Sequence, residues 1–512
     1  MARGEPNSPE DREGEAAQRL PSLIHNRISL TGEVIVALVV INLFFLFLLS
    51  VLGIQQNPYV GVLVYLTFPL FGLIGLLLIP IGMLHERRRR RKWFPEIPRY
   101  PQIDLNAPTG RRALTAIIGF SLFFLGATTL ASYQAYHFTD TVTFCGAVCH
   151  TPMKPEYTAY QDSPHARVSC VSCHVGPGAA WYVRSKLTGA YQVYAVLFDV
   201  YPKPITTPIT SLRPVRQACE QCHWPKKFYG GQLKVFTHFA YDQNNTPMQI
   251  QMLIKTGGGN PEVGQASGIH WHMNIANRVW FAATDKQHQE IPWVKVMTQQ
   301  GRVTVYMEKG VKLSAKQLAA MPRQVMDCVT CHDRPSHQFR PPDLAVDEAF
   351  TAGKLDRSLP FLKKVAVTAL TKSYPSTQLA LEGIATAVDT YYHNNYPQIY
   401  EAKQLQIKEA TATVQRIYSN NIFPYMKVDW RTHPNNLGHM YYRGCFRCHD
   451  GKHVSADGRV ISQNCDTCHT IIGEKTSANL MTTIASQQFK HPIDLNALHG
   501  LPCNTCHTGA PL

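Results

Sequence analysis

Seven cysteine–histidine motifs constrain this 512-residue chain more than any other feature of its sequence. All 14 cysteines fall into pairs, and a histidine directly follows each pair. The motifs are Cys145-Cys149-His150, Cys170-Cys173-His174, Cys219-Cys222-His223, Cys328-Cys331-His332, Cys445-Cys448-His449, Cys465-Cys468-His469 and Cys503-Cys506-His507. In a Cys-x-x-Cys-His motif the two thiols attach covalently to a haem, and the histidine ligates the haem iron. The sequence therefore predicts seven covalently bound haem c groups.

Other uses of paired cysteines explain this pattern less well. A zinc site needs two further ligands at a matching distance and gives no reason for a histidine after every pair. A disulfide framework predicts varied spacings and gives no reason for the histidines. One motif departs from the rule, because three residues separate Cys145 from Cys149. We expect this wider loop to bind haem as well, with a disulfide or a structural pair as the alternative.

The part of the chain before His137 contains no cysteine and carries three long apolar stretches. These stretches are residues 34–54, 59–84 and 113–136. Each is long enough to cross a hydrocarbon core of about 30 Å, and buried core helices are the alternative. No small-residue cleavage site follows the first stretch convincingly, so we expect an uncleaved membrane anchor of three transmembrane α-helices.

Basic residues predict the orientation of this anchor. Arginines occupy positions 87–91, Lys92 follows them, and Arg111 and Arg112 begin the third apolar stretch. Because positive charge beside membrane helices stays in the cytoplasm, this run indicates orientation rather than a nucleic-acid site. The amino terminus then lies in the cytoplasm, and residues 137–512 lie on the periplasmic side of a bacterial inner membrane. Basic residues outnumber acidic residues in that part, and we attribute the excess to pairing with haem propionates.

The spacing of the motifs divides the periplasmic part into groups. Three motifs begin between Cys145 and Cys219, one begins at Cys328, and three begin between Cys445 and Cys503, which gives three haems, one haem and three haems. So little chain lies within each group that the haems themselves must supply much of the apolar core. We therefore expect a mostly helical and irregular, haem-packed fold.

The two long intervals between groups differ in their patterns. Residues 234–239 and 302–306 alternate as strands do, which predicts a small β-rich insert, whereas 359–374 and 379–418 have helical periodicity. The expected segments are 1–33 (cytoplasmic N-terminal tail), 34–136 (three-helix anchor), 137–230 (three-haem module), 231–325 (β-rich insert), 326–342 (fourth haem site), 343–425 (helical connector) and 426–512 (C-terminal three-haem module).

A haem with two protein ligands transfers electrons, whereas a haem with an open position can bind a small molecule. Thirteen histidines outside the motifs follow the third apolar stretch, which is enough for two histidines on every iron. An ordinary surface or core role is the alternative for each of them. His337 and His453 follow motifs closely and His439 precedes one, so we expect each to serve a neighbouring haem. The candidate distal ligands are Met153, His165, His238, His270, His272, His337, His439, His453, His491 and His499.

Met153 is a separate case because it lies three residues after His150. As a ligand of the first haem, its thioether would raise that haem's reduction potential above that of a haem with two histidine ligands. Packing of the side chain beside the porphyrin is the alternative.

The first three motifs and their surroundings resemble a known family. Phe-Cys-Gly-Ala-Val-Cys-His-Thr-Pro-Met at 144–153, Asp-Ser-Pro-His at 162–165 and Cys-Val-Ser-Cys-His-Val at 170–175 resemble the NapC/NirT family of membrane-anchored quinol dehydrogenases. Ser-Gly-Ile-His-Trp-His at 267–272, Cys-His-Asp-Arg-Pro-Ser-His at 331–337 and Gly-Cys-Phe-Arg-Cys-His-Asp-Gly-Lys-His at 444–453 resemble its seven-haem ImcH-type branch. The resemblance implies electron entry from menaquinol or ubiquinol at the first haem, with His165 as a distal ligand.

The chain also departs from that family. Shorter relatives carry one membrane helix, whereas this sequence predicts three. Relatives with a characterised quinol pocket have a lysine followed by Gly-x-x-Asp, and here Lys186 is followed by Gly189 and Gln192. A glutamine can hydrogen-bond a quinol oxygen but is a poor proton acceptor. Lys186, Arg184 and Gln192 are therefore the quinol-site candidates, and propionate pairing or membrane-surface contact is the alternative for the two cations.

These patterns predict a quinol dehydrogenase of the inner membrane that passes electrons to periplasmic c-type cytochromes or reductases in respiration. The expected partners are the quinone pool, the lipid bilayer and these soluble proteins, with no nucleic acid. A terminal multihaem reductase of a small inorganic substrate would instead need an open haem, and no Cys-x-x-Cys-Lys motif is present. A haem subunit of a larger respiratory complex is the third hypothesis.

Overall fold

The chain forms two compact units in a computed structural model, Met1–Phe138 and Thr139–Leu512. The structure describes residues 23–51, 58–91, 105–148, 150–207, 209, 213–258, 268–273, 277–475, 480–482, 489, 491 and 501–511.

Three long helices dominate the first unit and coincide with the three apolar stretches. They are α1 (Arg27–Val51), α2 (Pro58–Arg90) and α3 (Pro108–Thr139), whose last residue belongs to the second unit. Helices α1 and α2 pack closely at Gly82, where an added Cβ would lie 2.5 Å from the Ser29 hydroxyl oxygen. By length and composition, Leu70–Arg90 is the one stretch of the described residues that could cross a membrane. The three-helix anchor therefore stays a prediction.

Two antiparallel sheets form the β-structure of the second unit. One has the order β1-β2-β8-β9, and the other has the order β6-β3-β4-β5-β7. The strands are β1 (Gln232–Phe239), β2 (Pro247–Ile254), β3 (Arg278–Ala282), β4 (Trp293–Met297), β5 (Val303–Glu308), β6 (Gln324–Val325), β7 (His453–Ser455), β8 (His469–Lys475) and β9 (Leu480–Thr482). Alternation in the sequence predicted β1 and β5. It did not indicate that strands following the fifth and sixth motifs complete both sheets.

The helices of the second unit are mostly short near the motifs and longer in the connector. They are α4 (His150–Gln161), α5 (Cys170–His174), α6 (Ala179–Leu197), α7 (Val215–Cys219), α8 (Ala315–Ala320), α9 (Cys328–Cys331), α10 (Pro342–Thr351), α11 (Leu362–Thr371), α12 (Thr377–Asn395), α13 (Pro397–Ala402) and α14 (Gln404–Asn421). The long helix α12 ends at Asn395, and Tyr396 caps its carboxyl end. Pro397 follows directly and begins α13, because a proline disfavours the helical conformation at the residue before it.

The connector helices enclose the largest apolar core of the described residues. Ala380, Ile384, Val388 and Tyr392 recur at every fourth position along α12 and are fully buried. They pack against buried residues of α10, α11 and α14 in one cluster. This repeat places the four side chains on one face of the helix, which is why the sequence pattern predicted helices here.

A buried ion pair joins this core to β1. The Lys363 amine on α11 lies 2.6 Å from an Asp347 carboxylate oxygen on α10, and both side chains are almost fully buried. The backbone nitrogen of Phe239 donates to Asp347, and the Lys363 amine donates to the Phe239 carbonyl. The first sheet is therefore fixed to the connector helices through charged groups.

Apolar core is sparse around the first three motifs. In the described part of residues 137–230, the buried apolar residues are Val148, Ala159, Tyr160 and Ala195. This scarcity is what we expect where bound haem supplies the apolar filling.

Candidate haem-binding sites

Each of motifs two to seven lies on a short helical turn. The backbone nitrogen of His332 donates to the Cys328 carbonyl at 2.8 Å, and that of His223 donates to Cys219 at 2.8 Å. Asp327 caps the turn of the fourth motif by accepting from the Thr330 nitrogen. One turn of helix brings both thiols and the histidine to one side of the backbone, which is the arrangement that attachment to a single haem requires.

A second histidine faces every motif histidine whose side chain the structure describes. The centres of the paired rings are 5.9 to 6.4 Å apart. A histidine–metal bond is about 2 Å long, so imidazoles on opposite sides of one iron have ring centres about 6 Å apart. The pairs are His174–His337, His223–His165, His332–His270, His449–His272, His469–His439 and His507–His491.

Backbone hydrogen bonds orient several of the facing imidazoles. The Nδ1 atoms of His270, His272 and His337 lie 2.6, 2.9 and 3.0 Å from the carbonyl oxygens of Thr256, Ile269 and Glu156. These contacts hold Nδ1 and leave Nε2 for a metal ion, as partners of metal-binding histidines commonly do.

Burial favours the neutral, metal-binding form of five of the paired imidazoles. Desolvation lowers the pKa of both rings in the His174–His337 pair and in the His439–His469 pair. It also lowers the pKa of His272. A neutral ring has a free nitrogen lone pair at neutral pH, so each of these side chains is chemically competent as an iron ligand.

The other distal candidates have different surroundings. Both ring nitrogens of the buried His453 are occupied, one 2.9 Å from Asp450 and the other 2.7 Å from the Ile291 carbonyl. The Nδ1 atom of His238 lies 3.2 Å from Asp347. That contact holds Nδ1 and leaves Nε2, as at His270, and His238 lies within electrostatic reach of the motif histidine His507. Of these two candidates, only His453 has both ring nitrogens occupied. Cys149 and His499 lie outside the described residues, as does the side chain of His150, and Met153 is half-buried one turn along α4.

Successive motifs lie beside one another in space, even across the long intervals of sequence. The thiols of Cys145 and Cys170 share a hydrogen bond that raises the pKa of Cys145, which joins motifs one and two. The thiols of Cys219 and Cys328 do the same for motifs three and four, although the whole β-rich insert lies between them in the sequence.

Weaker electrostatic contacts continue this series. Burial is the main cause that raises the pKa of Cys331 and of Cys468. The nearby Cys445 thiol raises both pKa values further. Motif five therefore lies between motifs four and six. Equivalent contacts join Cys173 to Cys222 and Cys503 to Cys465. Each of the seven motifs thus has its sequence neighbour within electrostatic reach.

One short turn serves two neighbouring motifs. His270 and His272 lie on the single-turn helix Ile269–Met273, and they face the histidines of motifs four and five. The isolated fourth motif and the carboxyl-terminal group therefore share one supporting element. The close spacing of the two histidines was visible in the sequence, but the identity of their partners was not.

The quinol-site candidates lie on α6, just after the second motif. The Lys186 amine donates to the Thr139 hydroxyl at 2.7 Å and lies 3.9 Å from an Asp140 carboxylate oxygen. Arg184 and Gln192 are exposed on the same helix. Sequence spacing did not reveal Asp140, which gives Lys186 a carboxylate neighbour although position 192 is a neutral amide.

Comparison with known proteins agrees with this arrangement. Residues 108–205 match the model of the NapC/NirT cytochrome c family, N-terminal region. The chain is also 44% identical over 489 residues to the cytochrome c-type protein ImcH of Geobacter sulfurreducens (strain ATCC 51573 / DSM 12127 / PCA), which covers 95% of each chain. The chain belongs to the NapC/NirT cytochrome c family. Its near full-length similarity to ImcH confirms the resemblance to the ImcH-type branch, and no solved structure matches it.

Membership of the NapC/NirT family establishes a multihaem cytochrome c that functions in electron transport and holds haem c covalently. Its members are membrane-anchored, and the apolar stretch Leu70–Arg90 fits an anchor. The cysteine and histidine geometry fits haem at the motifs, because each described pair leaves room for one iron between two imidazoles.

Proposed function

We propose that this chain oxidises quinol at the periplasmic face of the inner membrane and transfers the electrons to periplasmic c-type cytochromes or reductases. The observation that carries the proposal is the unbroken series of motifs, six of which have a facing imidazole. Two-histidine ligation closes an iron to substrate, so it favours electron transfer over a terminal reductase.

We assign seven haem c groups to the seven motifs, with the motif cysteines as attachment points. The motif histidines are the proximal ligands, and His165, His270, His272, His337, His439 and His491 are distal ligands. Met153 remains the candidate for the first motif because it follows His150 by one helical turn. Each haem iron supplies the uptake and release of one electron.

The substrate would meet the chain near the first two motifs. Quinol releases two electrons and two protons when it becomes quinone. Lys186 and Asp140 offer a cation that can hydrogen-bond a quinol oxygen and a carboxylate that can accept a proton. Arg184 and Gln192 lie on the exposed side of the same helix and are further candidates.

The surface of α6 supports contact with lipid. Val183, Leu187, Tyr191, Tyr194 and Phe198 follow the helical repeat along one side and are 51 to 70% exposed. The helix Ala179–Leu197 contains no acidic residue. An exposed apolar stripe with aromatic rings and nearby cations is typical of helices that lie in the membrane interface. We propose that this stripe lies in the outer leaflet, with the amino terminus of the chain in the cytoplasm.

Quinol oxidation is tested with the purified full chain in liposomes. Menaquinol and ubiquinol analogues are added separately, and haem reduction is followed by visible absorption. We expect Lys186→Ala to slow reduction about tenfold or more, because hydrogen bonds to charged groups contribute about 1.5–3 kcal/mol. Lys203→Ala is the matched control, since that amine also pairs with an aspartate and lies over a tyrosine ring. Failure of both analogues to reduce the wild-type protein would contradict the proposal.

Lipid contact is tested by photocrosslinking in the same liposomes. A photoreactive residue at Leu187, which is 70% exposed, should crosslink to lipid. The same residue at Leu405, which is 64% exposed on connector helix α14, should not. Equal crosslinking at both positions would refute a specific membrane-facing surface on α6.

A further inference from the structure

A buried arginine lies between the fourth and fifth motifs. Arg447 is inside the fifth motif, between Cys445 and Cys448, and its side chain is 5% exposed. One guanidinium nitrogen donates to the carbonyl of Thr330 at 2.8 Å. Thr330 is inside the fourth motif, between Cys328 and Cys331. The guanidinium therefore connects motifs four and five, which are separated by the longest interval between successive motifs in the sequence.

Among the described residues, no carboxylate lies within ion-pair distance of Arg447. The half-buried Asp333 is near enough that the guanidinium opposes the rise in its pKa that burial causes. The other two hydrogen bonds of Arg447 go to the carbonyls of Gly444 at 2.8 Å and His288 at 3.0 Å. Carbonyl groups satisfy the donors but carry no net charge. Arg447 forms no ion pair with any residue that the structure describes.

Another buried arginine shows the contrast. Arg334, whose residue is 8% exposed, lies 2.6 Å from a Glu156 carboxylate oxygen, so its charge is compensated. Arg443, close to Arg447 in sequence, lies 2.7 Å from Glu290 and 3.8 Å from Asp450. Arg447 thus differs from these two arginines in keeping its positive charge beside two motifs.

We propose that Arg447 raises the reduction potentials of the haems held by motifs four and five. A fixed positive charge in a weakly polar environment stabilises the state that has gained an electron, and net charge is one of the levers by which proteins set haem potentials. Raised potentials at this junction favour transfer of electrons from the first three motifs onto motifs four and five. This inference rests on the proposed haem binding at motifs four and five.

Two substitutions separate the effect of the Arg447 charge from the effect of its three hydrogen bonds to backbone carbonyls. Arg447→Gln and Arg447→Lys both disrupt the three carbonyl hydrogen bonds, but only glutamine removes the charge. A unit charge about 10 Å from a redox centre, at an effective dielectric constant of about 20, changes the reduction equilibrium by on the order of tenfold. We therefore expect a shift of that size in the glutamine variant and retained potentials in the lysine variant.

The measurement is a reductive titration of the full-length protein in detergent, followed by visible absorption and electron paramagnetic resonance. In Arg447→Gln, two haems should titrate at lower potential than in the wild type. Arg443→Gln is the matched control and should shift less, because the Arg443 side chain is 26% exposed and water screens its charge more strongly than that of the buried Arg447. A glutamine variant that titrates like the wild type would overturn the proposal, and so would a lysine variant that shifts as much as the glutamine variant.

Haem content distinguishes this result from failure of the proposed function. The pyridine haemochrome assay counts haem groups per chain before each titration. Fewer than seven haems in the wild type would contradict the proposed cofactor set, whereas a full count with unchanged potentials in Arg447→Gln contradicts only the role of Arg447.

Discussion

Removal of one partner of the buried Asp347–Lys363 pair is expected to destabilise the second unit strongly. The two side chains are 2% and 5% exposed, and the amine lies 2.6 Å from the carboxylate. Asp347 also accepts a hydrogen bond from the Phe239 backbone, and His238 lies 3.2 Å away. Asp347→Asn leaves the Lys363 charge buried without compensation. Loss of one partner of a buried pair costs about 3–5 kcal/mol, and we expect a value of about 3 kcal/mol because asparagine keeps an acceptor oxygen.

The assay is urea unfolding of the full-length protein in detergent, followed by far-ultraviolet circular dichroism. Asp347→Leu combined with Lys363→Met should recover part of the loss, because a hydrophobic pair leaves no uncompensated charge but takes away the side-chain hydrogen bonds to the Phe239 backbone. Asp199→Asn, in the exposed pair with Lys203, is the control and should leave the free energy of unfolding nearly unchanged, because solvent screens that pair. A cost below about 1 kcal/mol for Asp347→Asn, or a double variant less stable than either single variant, would refute the reasoning.

Three further predictions concern pH dependence, ligation and packing. Burial raises the pKa of Asp343, which accepts a hydrogen bond from Tyr441, so its ionisation costs stability as pH rises above the ordinary value of 3.8. Asp343→Asn should therefore raise the melting temperature at pH 7 and leave it unchanged at pH 3. His337→Ala should produce a high-spin signal in electron paramagnetic resonance, and His393→Ala, on the connector helix α12, should not. Ile384→Ala should cost about 2–5 kcal/mol in chemical unfolding, because its side chain is fully buried in the connector core.

Periodicity in the sequence was a good guide to the connector helices. The repeat at every fourth position from Ala380 to Tyr392 marks one buried face, and that face packs into a core of ordinary side chains. The same reasoning predicted β1 and β5 from alternation. It could not predict β7 and β8, because they pair with β5 and β2, which lie far earlier in the chain and before the connector.

Sequence offsets were a weaker guide to the facing histidines. His337 and His439, which we expect to serve a neighbouring haem, face His174 and His469, and their ligation of iron stays a prediction. At His453, Asp450 and the Ile291 carbonyl lie within hydrogen-bond distance of the two ring nitrogens, which is a different setting from that of the paired histidines. A short offset limits what a residue can reach, but only the surrounding backbone decides which hydrogen bonds its ring forms.

The sequence by itself determined the chemistry of this protein. The Cys-x-x-Cys-His spacing specifies attachment and a proximal ligand within one helical turn, and such local geometry needs no tertiary information. The basic residues beside apolar stretches likewise predict the orientation of an anchor from local composition. Family membership then follows from residues that can be read directly along the chain.

Tertiary structure decided how the motifs are connected. Their spacing divides them into groups of three, one and three, yet the folded chain joins motifs three and four through Cys219 and Cys328. His270 and His272 on one turn then face motifs four and five. Such contacts depend on the packing of segments that are distant in sequence, and they turn separate groups into one continuous series.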